Sequence, residues 1–348
     1  MLDRWVADTI GAEAPLTREA LERWQLARLR ETAAYARENS AFYRARLPAG
    51  EISSFADFAA LPMTTADDLR AHGLQMLCVS PDSIARVVSL TTSGSTGKPK
   101  RVFFTQADQE RTIDYFRHGM GEFVRPGSRV VSLFPGDSPG SLNDLLRQGL
   151  ERMDAELRLT GYPTPDRYEA VLRMIADSGA DALVGPASAV GGLARSSAGT
   201  EVGETLAAQV ESVLLAAEYV SAADRTDIGR LWRCRVNEHY SMTETGLAGA
   251  VGCVQPGGYH VWEAGLYYEV VDPRTGAVLP DGALGELVVT TLTREGMPMI
   301  RYRTGDHSRF LTGRCACGSV LRRLERVRAR PQKKKFAPRT IPDTLGEG

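Results

Sequence analysis

The sequence predicts an α/β fold with a largely parallel sheet, followed by a β-rich portion. Three observations carry this. Apolar strand-like runs alternate with amphipathic helix-like runs between residues 81 and 250. After residue 250 the chain reads as strands joined by Pro, Gly and Asp turns, in "GYHVWEAGLYYEVVDPRTGAVLPDGALGELVVTTLT". A chain of 348 residues, 43% apolar and 24% charged, can bury one large core or two ordinary ones.

Residues 17–46 read as one helix, with Leu26, Leu29, Ala33 and Ala36 at helical spacing and Thr17 as its start. "SSFADFAALPMTTADDLRAHG" reads as short helices broken by Pro62 and Gly73. "IARVVSLTTSG" is a strand running into a glycine turn, and "QADQERTIDYFRHGMGEF" a helix. "SRVVSLFPG", "AELRLTG", "ADALVGPAS" and "CRVNEHYS" follow as strands, and "AAQVESVLLAAEYVS" ends in one. "SLNDLLRQGLERM", "PDRYEAVLRMIADSG" and "SAADRTDIGRLW" are the helices between them. The expected organisation is a helical segment over 1–80, an α/β core over 81–250, a β-rich subdomain over 251–330 and a basic flexible tail over 331–348.

A net charge of −1 gives no global field toward nucleic acid or an anionic membrane. No apolar run is long enough to span a bilayer, and "MLDRWVADTIGAEAP" has no apolar core of signal-peptide type. The expectation is a cytoplasmic protein. Five cysteines do not make a disulfide framework in a chain this long, and Cys78 and Cys234 read as buried apolar thiols.

"SLTTSGSTGKPKR", residues 89–101, gathers six hydroxyl side chains, two glycines and two lysines. It is not a P-loop: Gly94 and Gly97 are three apart, and Pro99 follows Lys98. Its hydroxyls, its cations and a tight glycine turn suit an anion with many oxygens, a polyphosphate first. The plain alternative is a polar surface loop. Two further segments bear on this. "HYSMTETG", 239–246, offers the flat ring of Tyr240, the hydroxyl of Thr243 and the carboxylate of Glu244, a ligand for magnesium. "MIRYRTGD", 299–306, offers Asp306, able to accept from two ribose hydroxyls. Taken singly, Tyr240 reads equally as a core residue, Glu244 as a helix-start carboxylate and Asp306 as a turn residue.

Together and in this order the segments resemble the adenylate-forming superfamily of acyl-CoA synthetases, and within it the phenylacetate-CoA ligase branch. "TTSGSTGKPKRVFFT" is similar to that family's phosphate loop, "LLAAEYVS" to its adenine-pocket strand, "NEHYSMTETG" to its tyrosine/magnesium motif and "GELVVTTLTREGMPMIRYRTGD" to its ribose motif. The likeness covers about residues 20–330. It implies the large N-terminal domain of the acyl-CoA synthetase fold, using ATP and Mg2+. It implies that Thr92, Ser93, Gly94, Ser95, Thr96, Gly97, Lys98 and Lys100 hold the phosphates. Ala216, Ala217 and Glu218 would border the adenine, Tyr240 would stack on it, and Thr243 would touch the α-phosphate. Glu244 would bind magnesium and Asp306 the ribose, with His239 and Arg326 as further nucleotide-side neighbours. The reaction implied is attack of a substrate oxyanion on the α-phosphorus of ATP, with pyrophosphate leaving.

The sequence departs from that pattern in two places. "VRARPQKKK" stands where the family has its G-R-x-D-D hinge: Arg330 matches, but Gln332 and Lys333 replace the acidic pair, and the sequence ends at Gly348. The expectation is that the small C-terminal ligase domain, with its lysine and thioester-forming surface, is absent, so that a partner or other acceptor takes the activated group. "FPGDSPGSLNDLLRQGLERM" replaces a glycine-rich aromatic stretch, which reshapes the acid pocket, with Phe134, Tyr115 and His118 as candidate lining residues. Each of the three serves equally as packing.

Cys253 and His260 flank a Pro-Gly-Gly turn, and Cys315 and Cys317 sit in "GRCACGSV". Two such pairs could set four soft ligands around a structural zinc ion; the alternative is three free thiols and one satisfied histidine. The expected function is adenylation of a small, aromatic carboxylic acid, with a homodimer as the assembly considered. Adenylation of an unusual oxyanion such as nitrite, leading to diazotisation of an aryl amine, and a truncated nucleotide-binding pseudoenzyme are the alternatives carried.

Overall fold

The structure is a computed structural model of the full chain, and it describes residues 2–90, 99–253, 255 and 257–327. A helix at Leu2–Ile10, not expected from the sequence, precedes the long one. That long helix is Arg18–Asn39, and Ala41–Arg46 is a separate helix. The break falls at Ser40. Its N–H closes on Ala36 at 2.9 Å, its hydroxyl accepts from the Tyr43 N–H, and the same hydroxyl donates to the Gln75 carbonyl at 2.7 Å. Thr17 caps the first helix as predicted, accepting from Ala20 N–H at 3.2 Å. The short helices Phe55–Ala59 and Ala66–His72 each start in a capping box, on Ser54/Asp57 and Thr65/Asp68.

The strands are β1 (Ile84–Leu90), β2 (Lys100–Thr105), β3 (Arg129–Ser132), β4 (Glu156–Leu159), β5 (Ala182–Gly185), β6 (Ser212–Leu215) and β7 (Arg235–Ser241). Then come β8 (Gly249–Gly252), β9 (Tyr259–Val261), β10 (Leu266–Val271), β11 (Gly285–Thr291), β12 (Tyr302–Ser308) and β13 (Arg323–Leu324). Eight form one sheet in the order β13-β9-β8-β7-β6-β5-β3-β4. From β4 to β7 every pair is parallel; from β7 through β8 and β9 to β13 every pair is antiparallel. The change of character near residue 250 is therefore a change of strand direction within one sheet. β10, β11 and β12 form a separate antiparallel sheet.

The hydroxyl-rich loop does not leave a strand of the parallel sheet. β1 and β2 pair antiparallel, Leu90 opposite Lys100, so the loop joins a two-stranded hairpin. The sequence reading ran from this loop straight into a helix and missed β2. Its "KRVFFT" is rich in β-branched and aromatic residues, and Val102, Phe103 and Phe104 are buried. Thr105 then caps the helix Gln106–Met120.

Alternation along the central strands splits the core in two. Val130, Phe134, Ala182, Val184, Leu214 and Ala216 face one cluster, under the helices Gln106–Met120 and Leu142–Glu151. Val131, Leu133, Leu183, Val213 and Leu215 face another, under Tyr168–Ser178, Ala187–Ser196 and Ala222–Leu231. Ala187–Ser196 and Glu201–Gln209 were not read from the sequence. The expected adenine-pocket strand stops at Leu215: Ala217 has φ +69°, which turns the backbone out of the sheet.

Candidate functional site

Three segments bring the site together: the start of β2, the end of β7 with the turn after it, and the end of the 292–301 connection running into β12. The Glu244 carboxylate is at the centre. It pairs with the Lys100 ammonium, and Tyr302 donates its hydroxyl to the same Oε1 at 2.9 Å. Both charged side chains are largely buried, 5% exposed for Glu244 and 14% for Lys100. Burial alone would raise the Glu244 carboxyl, but Lys100 and the hydroxyl of Tyr302 outweigh it and hold the group below its ordinary value. Lys100 is the single lysine among the described residues.

The Thr243–Thr245 turn carries Glu244, and Gly246, at φ +72°, closes it with its N–H on the Thr243 carbonyl at 2.9 Å. Thr243 is half-buried at the head of this turn. Arg294 holds the turn from behind, donating from Nη1 to the Glu244 carbonyl at 2.7 Å, with its guanidinium 4.6 Å from the Phe104 ring centre. Burial pushes the Arg294 guanidinium below its ordinary value.

Tyr240 and Asp306 come together: the tyrosine hydroxyl donates to Asp306 Oδ2 at 3.1 Å. Burial, first, and then the Asp306 charge push the Tyr240 phenol well up, so it stays a neutral donor. The Asp306 N–H is held by Thr304 Oγ1 at 3.0 Å. Ala216 is buried at the end of β6, and Ala217 is exposed on the turn. The Glu218 carboxylate accepts from the Ser188 N–H in the first turn of the helix Ala187–Ser196.

His239 and Arg326 lie apart from this centre. β7 alternates, so His239 points to the face opposite Tyr240, where its Nε2 and the Tyr115 hydroxyl are 2.7 Å apart. Arg326 donates from Nε to Glu238 Oε1 at 2.8 Å; Arg225 donates to the same oxygen at 2.6 Å, and Tyr259 to Oε2 at 3.2 Å. Of the proposed pocket residues, Phe134 and Tyr115 are buried on the same side of the sheet. His118 instead stacks on Trp5 of the N-terminal helix at 4.7 Å. Thr92, Ser93, Gly94, Ser95, Thr96, Gly97 and Lys98 lie outside the described residues, as do Arg330, Gln332 and Lys333.

Sequence reasoning missed Tyr302, Arg294 and Glu238. Tyr302 was within reach: it opens the strand that carries Asp306, four residues before it. Nothing in the sequence pattern marks Arg294.

The second cluster is Cys253, His260, Cys315 and Cys317, whose ligand atoms all lie within 4.8 Å of one another. Cys253 Sγ is 3.6 Å from Cys315 Sγ, and Cys317 Sγ is 3.3 Å from His260 Nε2. The other ring nitrogen, Nδ1, sits 3.3 Å from the Leu321 carbonyl. β9 and β13 pair here, with His260 opposite Arg323.

Comparison with known proteins fits this geometry. The family model of the AMP-binding enzymes matches residues 64–293. The chain belongs to that family and is an adenylate-forming ligase. Within the family it is of the phenylacetate-CoA ligase type. It is 30% identical over 323 residues to the phenylacetate-coenzyme A ligase of Pseudomonas putida, which covers 90% of this chain and 71% of that enzyme. It is also 30% identical over 326 residues to the enzyme of the same name from Thermus thermophilus, covering 87% and 68%. In fold it matches 2-hydroxyisobutyryl-CoA ligase in complex with 2-HIB-AMP and CoA, with a TM-score of 0.80 at 24% identity, covering 90% of this chain and 69% of that one. Among the described residues no helix is long and apolar enough to cross a membrane.

Proposed function

We propose that this chain activates a small aromatic carboxylic acid with ATP, giving the acyl adenylate and pyrophosphate. The observation that carries the reading is the buried Glu244–Lys100–Tyr302 group, with Tyr302 four residues along β12 from Asp306 of the Tyr240–Asp306 pair. In the reaction a carboxylate oxygen of the acid bonds to the α-phosphorus while the bond to the bridging oxygen of the β-phosphate breaks. Two anions must approach, so the barrier is chiefly electrostatic.

Each group then has a role. Asp306 accepts from the ribose hydroxyls, and the Tyr240 ring borders the purine with Ala216, Ala217 and Glu218. Thr243 donates to an α-phosphate oxygen. Lys100 and the loop Thr92–Lys98 neutralise the outer phosphates. Glu244 is a hard oxygen donor of the kind magnesium takes, and bound metal would neutralise charge on the departing pyrophosphate. Lys100 is then released from the carboxylate to the phosphates, so the ammonium exchanges one anionic partner for another at little cost.

Cys253, His260, Cys315 and Cys317 suit a structural zinc ion. Tetrahedral zinc with bonds of about 2.3 Å to sulfur sets sulfurs about 3.8 Å apart, close to the 3.6 Å between Cys253 and Cys315. The Leu321 carbonyl on the far nitrogen of His260 is the support a metal-bound imidazole needs. With four protein ligands the ion has no open position for catalysis.

We assign the onward transfer of the acyl group to an acceptor or partner beyond the described residues. These supply no second lysine to contact the reacting carboxylate. The test is pyrophosphate release by the purified chain across a panel of aromatic acids, with and without CoA. Acid-dependent release that CoA does not accelerate supports both parts. Release strictly dependent on CoA removes the transfer assignment, and no release with any acid removes the adenylation.

A further inference from the structure

The face of β7 opposite Tyr240 carries two polar residues where a core strand should be apolar. Asn237 and His239 are two apart and so share a face. Pairing with β6 sets Asn237 opposite Leu214 and Glu238 opposite Leu215, which places the next residues, Ala216 and His239, side by side. Leu214, Ala216, Val184 and Phe134 belong to the apolar cluster on that side, under the helix that carries Tyr115. Two polar side chains in such a row violate the pattern, and violations of this kind concentrate at functional positions.

Neither residue is satisfied by its neighbours. The side-chain nitrogen of Asn237 is buried without a hydrogen-bond partner among the described residues. His239 uses one nitrogen on the Tyr115 hydroxyl, and the backbone N–H of Gly249 also faces that phenol oxygen. We assign the arrangement in which Tyr115 accepts from Gly249 and donates to His239 Nε2, because it uses the phenol proton as well as a lone pair. That leaves the proton of the imidazole on Nδ1. Nδ1 has no partner among the described residues, yet it is not among the sealed polar atoms, and His239 is only half-buried. The ring is thus a neutral donor, oriented by Tyr115 and set beside the small Ala216 on the neighbouring strand. A buried donor left unpaired costs about 1–3 kcal/mol, so this row is poised for an acceptor that arrives with a ligand.

We propose that this row reads the acid substrate: His239 donates from Nδ1, and Asn237 from its amide, to a hydrogen-bond-accepting substituent on the aromatic ring, such as a hydroxyl, alkoxy, carbonyl or nitro oxygen. This rests on the adenylation reading and narrows its substrate to ring-substituted aromatic acids. Tyr115 is the positioning residue that fixes the imidazole tautomer.

The experiment is pyrophosphate release with paired acids, each oxygen-substituted benzoate or phenylacetate against its unsubstituted and methyl-substituted partner. The native chain should favour the oxygen-substituted member of at least one pair by tenfold or more in kcat/KM. H239L should cut that preference at least tenfold, with the KM for ATP and nucleotide binding by calorimetry unchanged. H239Q, which keeps a donor, should retain most of the preference. Y115F should lower it several-fold by freeing the ring. Equal kcat/KM for substituted and unsubstituted acids in the native chain would overturn the proposal while leaving adenylation standing. A preference that H239L and N237L both leave intact would also overturn it. If H239L is poorly folded by circular dichroism, H239Q and N237L decide. No release with any acid overturns adenylation instead, and this narrowing with it.

Discussion

The Glu244 carboxylate and the Cys253–His260–Cys315–Cys317 cluster are two places where this chain gathers groups fit for a cation, and it prepares them in opposite ways. Glu244 already has its cation: Lys100 neutralises it and Tyr302 supplies a hydrogen bond. The thiols and imidazole have no charged partner of this kind and face one another. A charge-paired carboxylate can exchange partners, so it suits a metal that comes and goes with nucleotide. Four soft ligands close to one another, His260 on β9 and the three cysteines on connections beside it, suit a metal that stays. The contrast separates a working site from a structural one, and it can be broken from either side.

The largest effect is expected at Glu244. Glu244→Gln leaves the Lys100 ammonium buried against a neutral amide, and breaking a buried pair from one side costs about 3–5 kcal/mol. It also replaces the anionic oxygen offered to the metal by a neutral amide oxygen, so pyrophosphate release should fall by about a hundredfold or more. Denaturant unfolding and pyrophosphate release measure the two losses. Lys100→Met should lose activity comparably but less stability, because nucleotide-bound metal can restore a partner to the carboxylate.

The next effect should be large in stability and small in chemistry. Cys315→Ser, or removal of metal by a chelator, takes one ligand or the ion from the cluster that ties β9 to β13. The melting temperature should drop by several degrees, and metal analysis of the native chain should give close to one zinc per molecule. The KM for acid should barely move. A variant that loses turnover while its melting temperature is unchanged would break the contrast, for it would place the cluster in the chemistry.

Tyr240→Phe should have a smaller effect still. It removes the hydroxyl on Asp306 but keeps the ring. A raised KM for ATP of a few-fold, with kcat nearly kept, is the expected split, since the lost bond orients a binding residue and meets no reacting atom.

What could be read in the sequence follows from what each feature depends on. The alternation of strands and helices set the α/β class because side-chain period is local. Lys100, Glu244, Tyr240 and Asp306 were legible from short runs of distinctive chemistry, although 206 positions separate Lys100 from Asp306. β2 was missed because loop chemistry up to Lys100 hid the start of a short strand. The hairpin that holds the loop could not be read, because strand direction depends on partners far along the chain. Arg294 was invisible for a similar reason: its role comes from the Glu244 carbonyl fifty residues upstream. His239 was placed beside the nucleotide by its nearness to Tyr240 in sequence. Strand alternation turns it the other way, toward Tyr115, a local rule that could have been applied.

The smallest expected effect concerns acid, and it separates His239 from both cation sites. Burial holds its imidazole down at about 4, against an ordinary value near 6.5. The folded chain therefore keeps this ring neutral at pH values where the unfolded chain would protonate it. The unfolded state binds more protons over that window, so stability rises with pH between about 4 and 6.5 and is lost as pH falls through it. Carboxylates also titrate there, and Glu244 loses its own stabilisation below its lowered value. The informative quantity is thus a difference. The gap in melting temperature between pH 7 and pH 4.5 should be smaller in His239→Gln than in the native chain, whereas Cys315→Ser should leave the part of that gap due to His239 in place. An equal gap in the native chain and His239→Gln would mean that folding does not lower the imidazole, and that burial does not hold the ring neutral at pH 4.5.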